Sequence, residues 1–251
     1  MVTVIRAGCR LLVVALALTL PALLACASAA APGSRAQAER YERIAVSRDG
    51  IGKRYMGREI ASVMGFQGAA WLEREERERE ERTDLLLKAL PLRPGMVVAD
   101  VGAGTGYLTR RMAPSVMPGG RVLAVDVQPE MVRVLESMVR QTGLGQIQPN
   151  LGAEDDVRLL DASVDLAIMV DVYHELAYPY EMLASIARAL KPGGLLVFVE
   201  FRAEDDSVPI KTVHKMSEAQ VKREAAVHPL VWDRTVGTLP WQHMVFFRRR
   251  D

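Results

Sequence analysis

The stretch Met96-Val-Val-Ala-Asp-Val-Gly-Ala-Gly-Thr-Gly-Tyr107 decides the fold of this 251-residue chain. Its first four residues are apolar, which predicts a short strand buried on both faces of a sheet. Asp100 follows at the carboxyl end of the strand, and Gly102, Gly104 and Gly106 make a turn with almost no side-chain bulk. A helical pattern begins directly after the turn. This order predicts a nucleotide-type pocket, because backbone N–H groups at such a turn face a closely approaching ligand.

The spacing of the glycines differs from the dinucleotide-binding fingerprint. That fingerprint is G-x-G-x-x-G, whereas Tyr107 stands at its third glycine position and the pattern reads D-x-G-x-G-x-G. The missing glycine disfavours a nicotinamide-dependent dehydrogenase. With an acid two residues before the first glycine, the pattern resembles motif I of the class I S-adenosylmethionine (SAM) methyltransferases. The resemblance implies that the cofactor is SAM and that it is held by Asp100, Gly102, Ala103, Gly104, Thr105 and Gly106.

Length and composition limit the class of protein. A chain of 251 residues holds one sizeable α/β domain with extensions rather than two full domains. Its formal net charge of +1, with basic and acidic residues interspersed, provides no positive field for nucleic acid. The two cysteines, Cys9 and Cys26, both lie in the N-terminal hydrophobic segment. We therefore expect neither a disulfide nor a thiolate metal site in the folded body, and the sequence assigns no metal ligand.

Residues 1–31 have the pattern of an export signal. Two arginines precede an apolar run at residues 11–25, which is short for a membrane span. Residues 23–26, Leu-Leu-Ala-Cys, resemble a bacterial lipobox, in which Cys26 would carry lipid and become the mature N-terminus. Cleavage at an Ala-x-Ala site in residues 25–31, which would release a soluble exported form, is the alternative. The sequence predicts an exported protein, either periplasmic or anchored to the membrane as a lipoprotein.

Residues 32–84 are predicted to be a short linker followed by a mainly helical extension. The run at residues 72–82 carries Glu and Arg four residues apart, such as Glu73 and Arg77. Each such pair adds only ~0.2–0.5 kcal/mol to a helix, so the run predicts a solvated helix face. Trp71 and the segment 55–59 bring aromatic and basic side chains before the glycine turn. They are candidates for a lid over the ligand.

A second buried strand is predicted at residues 119–127, and it contains Asp126 near its end. Asp126 lies about twenty residues beyond the glycine turn, the separation at which a carboxylate can hold ribose hydroxyls. Asp126 could instead cap the helix that begins near Pro129. The strand–acid–helix context favours ribose binding, and Val127 is assigned to the same cofactor site.

A third short strand at residues 146–150 leads into an acidic turn at residues 152–156. The family resemblance implies that the adenine ring and its exocyclic amine are read at this turn. Ala153 stands where the family pattern has an acid. The contact is therefore assigned to Glu154 or Asp155, or to backbone groups.

A fourth strand at residues 163–170 is followed by a cluster of polar side chains. Open α/β sheets bind ligands at the carboxyl edge of their strands, near the point where the strand order reverses. A single histidine is more often packed or surface-exposed, but Asp171, Tyr173 and Glu175 accompany His174 at this edge. We predict that Asp171, Tyr173 and His174 are the catalytic or substrate-facing residues.

The remainder of the chain completes the same pattern. The sequence Ala-Leu-Lys-Pro-Gly-Gly-Leu-Leu-Val at residues 189–197 resembles the hairpin that follows the motifs of these methyltransferases. The loop at residues 208–216 groups Lys211, His214 and Lys215, and it is predicted to lie on the acceptor side of the pocket. The remaining strands are predicted at residues 195–200, 231–239 and 242–249.

Residues 85–251 thus resemble a class I SAM-dependent methyltransferase, nearest the small-molecule branch that includes the ubiquinone and menaquinone C-methyltransferases. The resemblance implies a Rossmann-like α/β fold, with a seven-stranded, mostly parallel sheet and a C-terminal antiparallel hairpin. It also implies transfer of a methyl group to a small-molecule acceptor. Because the sulfonium is already activated, the protein must mainly align the acceptor and exclude water. A base is required only if the acceptor is protonated at the working pH.

Two alternatives to this function stay open from the sequence. SAM is made in the cytoplasm and this chain carries an export signal, so an exported SAM- or nucleotide-binding protein without catalysis is the first. The second is a methyltransferase of protein or nucleic acid. It is disfavoured because Asp-Val-Tyr-His at residues 171–174 replaces the Asn/Asp-Pro-Pro-Tyr motif of amino-methylating nucleic-acid enzymes.

Overall fold

The computed structural model describes residues 40–251. The predicted export signal at residues 1–31, with Cys26, and the linker at residues 32–38 lie outside the described residues. Within residues 40–251, every helix is too short or too polar to cross a membrane.

The described chain alternates strands and helices. The strands are β1 Glu42–Arg43, β2 Gly50–Tyr55, β3 Arg58–Ala61, β4 Val97–Val101, β5 Arg121–Asp126, β6 Ile147–Leu151, β7 Val164–Val170, β8 Leu190–Arg202, β9 Lys215–Met216, β10 Leu230–Val236 and β11 Gln242–Arg249. The α-helices are α1 Ala69–Leu72, α2 Arg77–Glu81, α3 Thr83–Ala89, α4 Thr109–Met112, α5 Pro129–Thr142, α6 Pro179–Ala189 and α7 Glu218–Ala225. Short 3₁₀ turns lie at Phe66–Gly68, Ala113–Val116, Tyr173–Glu175 and Thr212–His214.

The main sheet has the strand order β10–β11–β8–β7–β4–β5–β6. The short strand β9 pairs with the last two residues of β8. Strands β4 to β8 are parallel, whereas β11 is antiparallel to β8 and β10 is antiparallel to β11. The predicted mostly parallel sheet with a closing hairpin is therefore confirmed. The short strand β9 is an addition, and it lies in the segment predicted to be a loop.

Two hydrophobic clusters cover the two faces of this sheet. Along β4, Val97, Ala99 and Val101 belong to one cluster and Val98 to the other, as the alternation of side chains in a strand requires. Because both faces are buried, the strand is apolar without interruption up to Asp100. The strand order reverses between β4 and β7, which places a crevice at their carboxyl ends.

The prediction of a mainly helical N-terminal extension is wrong for its first part. Strands β1, β2 and β3 form a separate antiparallel sheet, in which a two-residue turn joins β2 to β3. Met56 and Gly57 in that turn have φ angles of 46° and 95°, both positive as a type I′ hairpin turn requires. Tyr55 and Ile60 pack against tyrosines of the main body. The strands are too short for their own pattern to predict them, and this packing stabilises them.

The Glu- and Arg-rich run is not the continuous solvated helix that its spacing predicted. It begins at the last residue of α1, forms α2 and ends at Arg82, whose φ of 51° separates α2 from α3. Arg77 and Glu81 are only 5% and 3% exposed, and Arg77 Nε donates to Glu81 Oε2 at 2.9 Å. Glu73, the predicted partner of Arg77, instead pairs with Arg110 of α4. The run therefore contributes buried charged side chains as well as exposed ones.

Candidate functional site

A cavity of about 660 Å³ opens at the carboxyl ends of β4, β5, β7 and β8. Its volume is in the range that binds small molecules and cofactors. The wall is assembled from the glycine turn, the ends of the strands, the N-terminal extension and the loop before β9. The residues that line it include Ile51, Met64, Trp71, Arg77, Glu81, Gly102, Gly104, Asp126, Val127, Gly152, Ala153, Glu154, Asp171, His174, Glu175, Lys211 and His214.

The three glycines of the turn have two different roles. Gly102, Gly104 and Gly106 have φ angles of 75°, 56° and 82°, which explains why each position favours glycine. Gly102 and Gly104 line the cavity. Gly106 instead packs against α5, because a Cβ there would lie 2.6 Å from the Met138 side chain. The turn therefore offers two glycines to a ligand and uses the third for close packing of the helix.

The other two residues of the turn face away from the cavity. The Ala103 N–H donates to the Val125 carbonyl at 3.0 Å, and its side chain packs on the hydrophobic core. Thr105 Oγ1 donates to Glu73 Oε1 at 2.6 Å. These residues were predicted to bind the cofactor, but their side chains fix the shape of the turn.

Asp100 lies behind the turn rather than in the cavity wall. It is buried, and its Oδ2 accepts a hydrogen bond from Thr109 Oγ1 at 2.5 Å. The resemblance implied that Asp100 contacts the cofactor, whereas in the structure its carboxyl ties β4 to α4. Burial raises the pKa of Asp100 to about 6.

Asp100→Asn is expected to stabilise the protein above pH 6. The carboxyl has a pKa of about 6 in the folded protein and its ordinary value of 3.8 in the unfolded protein. Between these pH values it ionises more readily in the unfolded state, so the folded state loses stability as the pH rises. The neutral amide avoids a penalty on the order of 2–3 kcal/mol at pH 8, with little difference at pH 4. Urea unfolding of both proteins at the two pH values measures this. If the variant is less stable than the wild type at pH 8, or loses SAM affinity, the Asp100 carboxylate contributes to the cofactor site after all.

Asp126 faces the cavity from the end of β5. Its Oδ2 accepts the Gly104 N–H and its Oδ1 accepts the Gln128 N–H, both at 2.9 Å. The same carboxylate therefore fixes the glycine turn and the residue before α5. It is not the helix cap that the alternative interpretation predicted, because Gln128 is the N-cap residue and no side chain among the described residues caps α5. A carboxylate has about four acceptor positions, so two stay available for hydroxyl groups. Val127 lies beside it, partly exposed in the cavity wall.

The acidic turn after β6 presents one of its two candidate acids to the cavity. Glu154 is in the wall, and Asp155 is an exposed residue outside it. The backbone N–H groups of Gly152 and Ala153 are already used, since they donate to the carbonyls of Asp126 and Asp156 at 2.9 and 2.7 Å. Of the two candidate acids, Glu154 is thus the one placed to meet a ligand.

Asp171 enters the wall on the opposite side, at the end of β7. Its φ of 56° is unusual for a residue other than glycine. Oδ2 accepts a hydrogen bond from Gln242 Nε2 at 3.0 Å, while the buried Oδ1 has no partner among the described residues. Burial, with Glu81 and Glu200 nearby, raises the pKa of Asp171 well above its usual value. An unpartnered buried oxygen in a cavity wall is a feature of a binding site.

His174 also lines the cavity, and it is held at both ring nitrogens. Nδ1 lies 2.5 Å from Glu200 Oε2, and Nε2 lies 3.2 Å from His214 Nδ1. His174 is 2% exposed, and burial lowers the pKa of its imidazole, which is therefore neutral. The structure brings together Asp171, His174 and His214 as predicted.

Tyr173 was predicted to be catalytic, but the structure turns it away from the cavity. Its ring packs edge-on against Phe198 with the centroids 4.9 Å apart, and its hydroxyl donates to Glu224 Oε2 at 2.6 Å. The positive φ of Asp171 changes the direction of the chain, so the next side chains do not continue the alternation of β7. Tyr173 anchors the 3₁₀ turn that carries His174.

The N-terminal hairpin holds that 3₁₀ turn from the other side. Arg58 donates to both oxygens of Glu224, at 2.7 and 3.1 Å, and to the His174 carbonyl at 3.2 Å. The Met64 N–H donates to Glu175 Oε2 at 3.1 Å. Trp71, 52% exposed, joins Ile51 in the wall. The extension thus borders the cavity, although Tyr55 in the predicted lid segment is itself buried.

The loop before β9 contributes two of its three predicted side chains to the cavity wall. His214 and Lys211 line the cavity, and Lys211 Nζ lies 2.5 Å from Asp49 Oδ1. Lys215 points elsewhere, donating to the Asp205 carbonyl at 3.0 Å. Arg77 and Glu81 also line the cavity, and the sequence pattern missed them because a charged run ordinarily predicts a solvated helix.

The part of the chain that carries this cavity is similar to known methyltransferases. Residues 99–198 match the family model described as a methyltransferase domain. A solved structure of a SAM-dependent methyltransferase from Aquifex aeolicus superposes with a TM-score of 0.70 at 26% identity, covering 74% of this chain and 100% of that one.

Curated relatives match over a shorter region. An uncharacterized methyltransferase of Mycobacterium tuberculosis is 39% identical over 119 residues, 47% of this chain and 44% of that protein. A ubiquinone/menaquinone biosynthesis C-methyltransferase of Hydrogenovibrio crunogenus is 33% identical over 111 residues, 44% of each chain. The chain thus spans less than half the length of these relatives. They give no support to the alternative of a binding protein without catalysis.

Proposed function

We propose that this chain, whose methyltransferase domain uses SAM as its cofactor, transfers a methyl group from SAM to a small organic acceptor. The observation that carries the proposal is the division of one cavity into two chemically different sides. Gly102, Gly104, Asp126 and Glu154 line one side, and Asp171, His174 and His214 line the other.

The first side fits an adenosine and its attached amino acid. A side chain at Gly104 would fill the space beside the turn, since its Cβ would come within 2.6 Å of Leu72 Cδ1. Asp126 keeps acceptor positions for the ribose hydroxyls, and Glu154 can accept from the adenine amine. When bound, SAM supplies a methyl group already activated as a sulfonium. The protein therefore contributes binding, alignment and exclusion of water.

The second side fits a polar atom on the acceptor. Asp171 Oδ1 has no partner among the described residues, so it can form a hydrogen bond with a polar atom of the acceptor. His174 borders the same side of the cavity, with its two ring nitrogens held by Glu200 and His214. Trp71 and Met64 form an apolar part of the wall that can cover the acceptor and keep water out. The cavity of about 660 Å³ is in the size range of small-molecule sites, which supports a small acceptor beside SAM.

Asp126→Ala is expected to weaken SAM binding without unfolding the protein. Loss of charge-assisted hydrogen bonds to the ribose costs on the order of 1.5–3 kcal/mol, or roughly ten- to a hundredfold in affinity. Calorimetric titration of the full chain with SAM and with its demethylated product measures the effect. Asp161→Ala is the control, because this acid is 78% exposed at the surface and does not line the cavity. Unchanged SAM affinity with a lower melting temperature would assign Asp126 a structural role alone.

We also propose that the protein acts outside the cytoplasm, as a soluble periplasmic form or a lipoprotein anchored through Cys26. The support is the signal pattern of residues 1–31, and fractionation of cells that produce the full chain is its test. Export would require that SAM reach that compartment.

A further inference from the structure

We infer that His174, Glu175 and His214 form a binding site for a zinc ion on the acceptor side of the cavity. The three side chains come from two segments, the 3₁₀ turn after β7 and the 3₁₀ turn before β9. Each offers one ligand atom, and the three atoms lie within 4.8 Å of one another. Catalytic zinc sites use a donor set of two imidazoles and one carboxylate, which leaves one coordination position of the metal for water or substrate.

The separations of the ligand atoms fit a tetrahedral ion. Bonds of about 2.0–2.2 Å at tetrahedral angles place neighbouring ligand atoms roughly 3.3–3.6 Å apart. His174 Nε2 lies 3.2 Å from His214 Nδ1, and His214 Nδ1 lies 3.4 Å from Glu175 Oε1. The third separation, from His174 Nε2 to Glu175 Oε1, is 3.9 Å. A small closure of the Glu175 side chain would complete the site.

Groups behind the ligands hold two of them in the orientation that a metal requires. Glu200 Oε2 lies 2.5 Å from His174 Nδ1, which leaves Nε2 to face the ion, and Glu200 Oε1 accepts the Tyr173 N–H at 2.9 Å. Glu175 Oε2 accepts the Met64 N–H, so that Oε1 is turned toward the two imidazoles. A carboxylate behind a histidine is the usual support of a zinc ligand.

A direct hydrogen bond between the imidazoles is the competing explanation for this cluster. It accounts for the His174–His214 distance but leaves Glu175 Oε1 with no hydrogen bond to either ring. At 3.4 and 3.9 Å this oxygen is only within ion-pair distance of the two imidazoles. An ion between the three atoms would satisfy all of them. His214 is partly exposed and the cavity is open, so an ion can enter.

The test is the zinc content of the full chain after removal of metal with a chelator and dialysis against Zn²⁺. Because Cys9 and Cys26 can also hold zinc, the site is measured as the difference between the wild type and His214→Ala. We expect one more tightly bound Zn²⁺ per chain in the wild type, and an affinity reduced by at least about a hundredfold in His214→Ala. His228→Gln is the matched control, since His228 packs on Tyr180 away from the cluster, and it should keep the ion.

Two further measurements make the result decisive. Co²⁺ in place of Zn²⁺ should give the strong visible absorption of a tetrahedral site, and His214→Ala should lose it. Equal metal content in the wild type and in His214→Ala, or a Co²⁺ spectrum unchanged by the substitution, would overturn the inference. SAM titration of the same samples separates the two proposals: zinc retained without SAM binding would refute the proposed function only, and SAM binding without zinc would refute the metal site only.

Discussion

Gly104→Val is expected to abolish SAM binding by this chain while the protein stays folded. Gly104 has a φ of 56°, where a β-branched residue is strained at a cost of about 1–3 kcal/mol. Its new side chain would also begin 2.6 Å from Leu72 Cδ1 and occupy the space beside the turn. The strain lowers stability. The loss of binding has two other causes: the side chain fills the space beside the turn, and it displaces the Gly104 N–H that donates to Asp126. Calorimetry with SAM, and circular dichroism for the fold, measure the two effects separately.

Gly143→Val separates backbone strain from occupation of the cavity. Gly143 ends α5 with a φ of 69°, and a Cβ there has no atom within 4 Å. This variant should lose a similar amount of stability and bind SAM as the wild type does. If Gly104→Val also binds SAM normally, the cofactor is held elsewhere and the division of the cavity given above is wrong.

Glu224→Ala should give the largest loss of stability among these variants, about 3–5 kcal/mol, as expected when one partner of a buried ion pair is removed. Glu224 is fully buried, and it accepts hydrogen bonds from Arg58 and from the Tyr173 hydroxyl. Its removal leaves the Arg58 guanidinium without a carboxylate inside the protein. Urea unfolding followed by circular dichroism measures the change in the free energy of unfolding.

Glu42→Ala is the matched control, because it removes another Glu–Arg pair at the surface. The side chains of Arg54 and Glu42 are 38% and 60% exposed, and such pairs contribute about 0–1 kcal/mol. Equal losses in the two variants would mean that the Arg58–Glu224 pair is not what fastens the hairpin to the main body.

Much of the fold follows from local chemistry in the sequence. An uninterrupted apolar run predicts a strand buried on both faces, and β4 is that strand. Glycines alternating in a turn predict positive φ angles, which Gly102, Gly104 and Gly106 all have. Ser217, a residue type that favours helix N-termini, accepts the Gln220 N–H at the start of α7. These features depend on neighbouring residues, so the order of residues along the chain is enough to predict them.

The sequence by itself determined the parallel sheet, the glycine turn and the acid at the end of β5, because each is a property of a short segment. Only the tertiary structure decided that Arg77 and Glu81 are buried, that Tyr173 leaves the cavity and that the hairpin of β2 and β3 forms. It also brought His174 to within 3.2 Å of His214, forty positions further along the chain. β8 runs parallel to β7, so the loops that follow them meet at one edge of the sheet. Contacts of this kind depend on which surfaces pack together, and no local pattern encodes that packing.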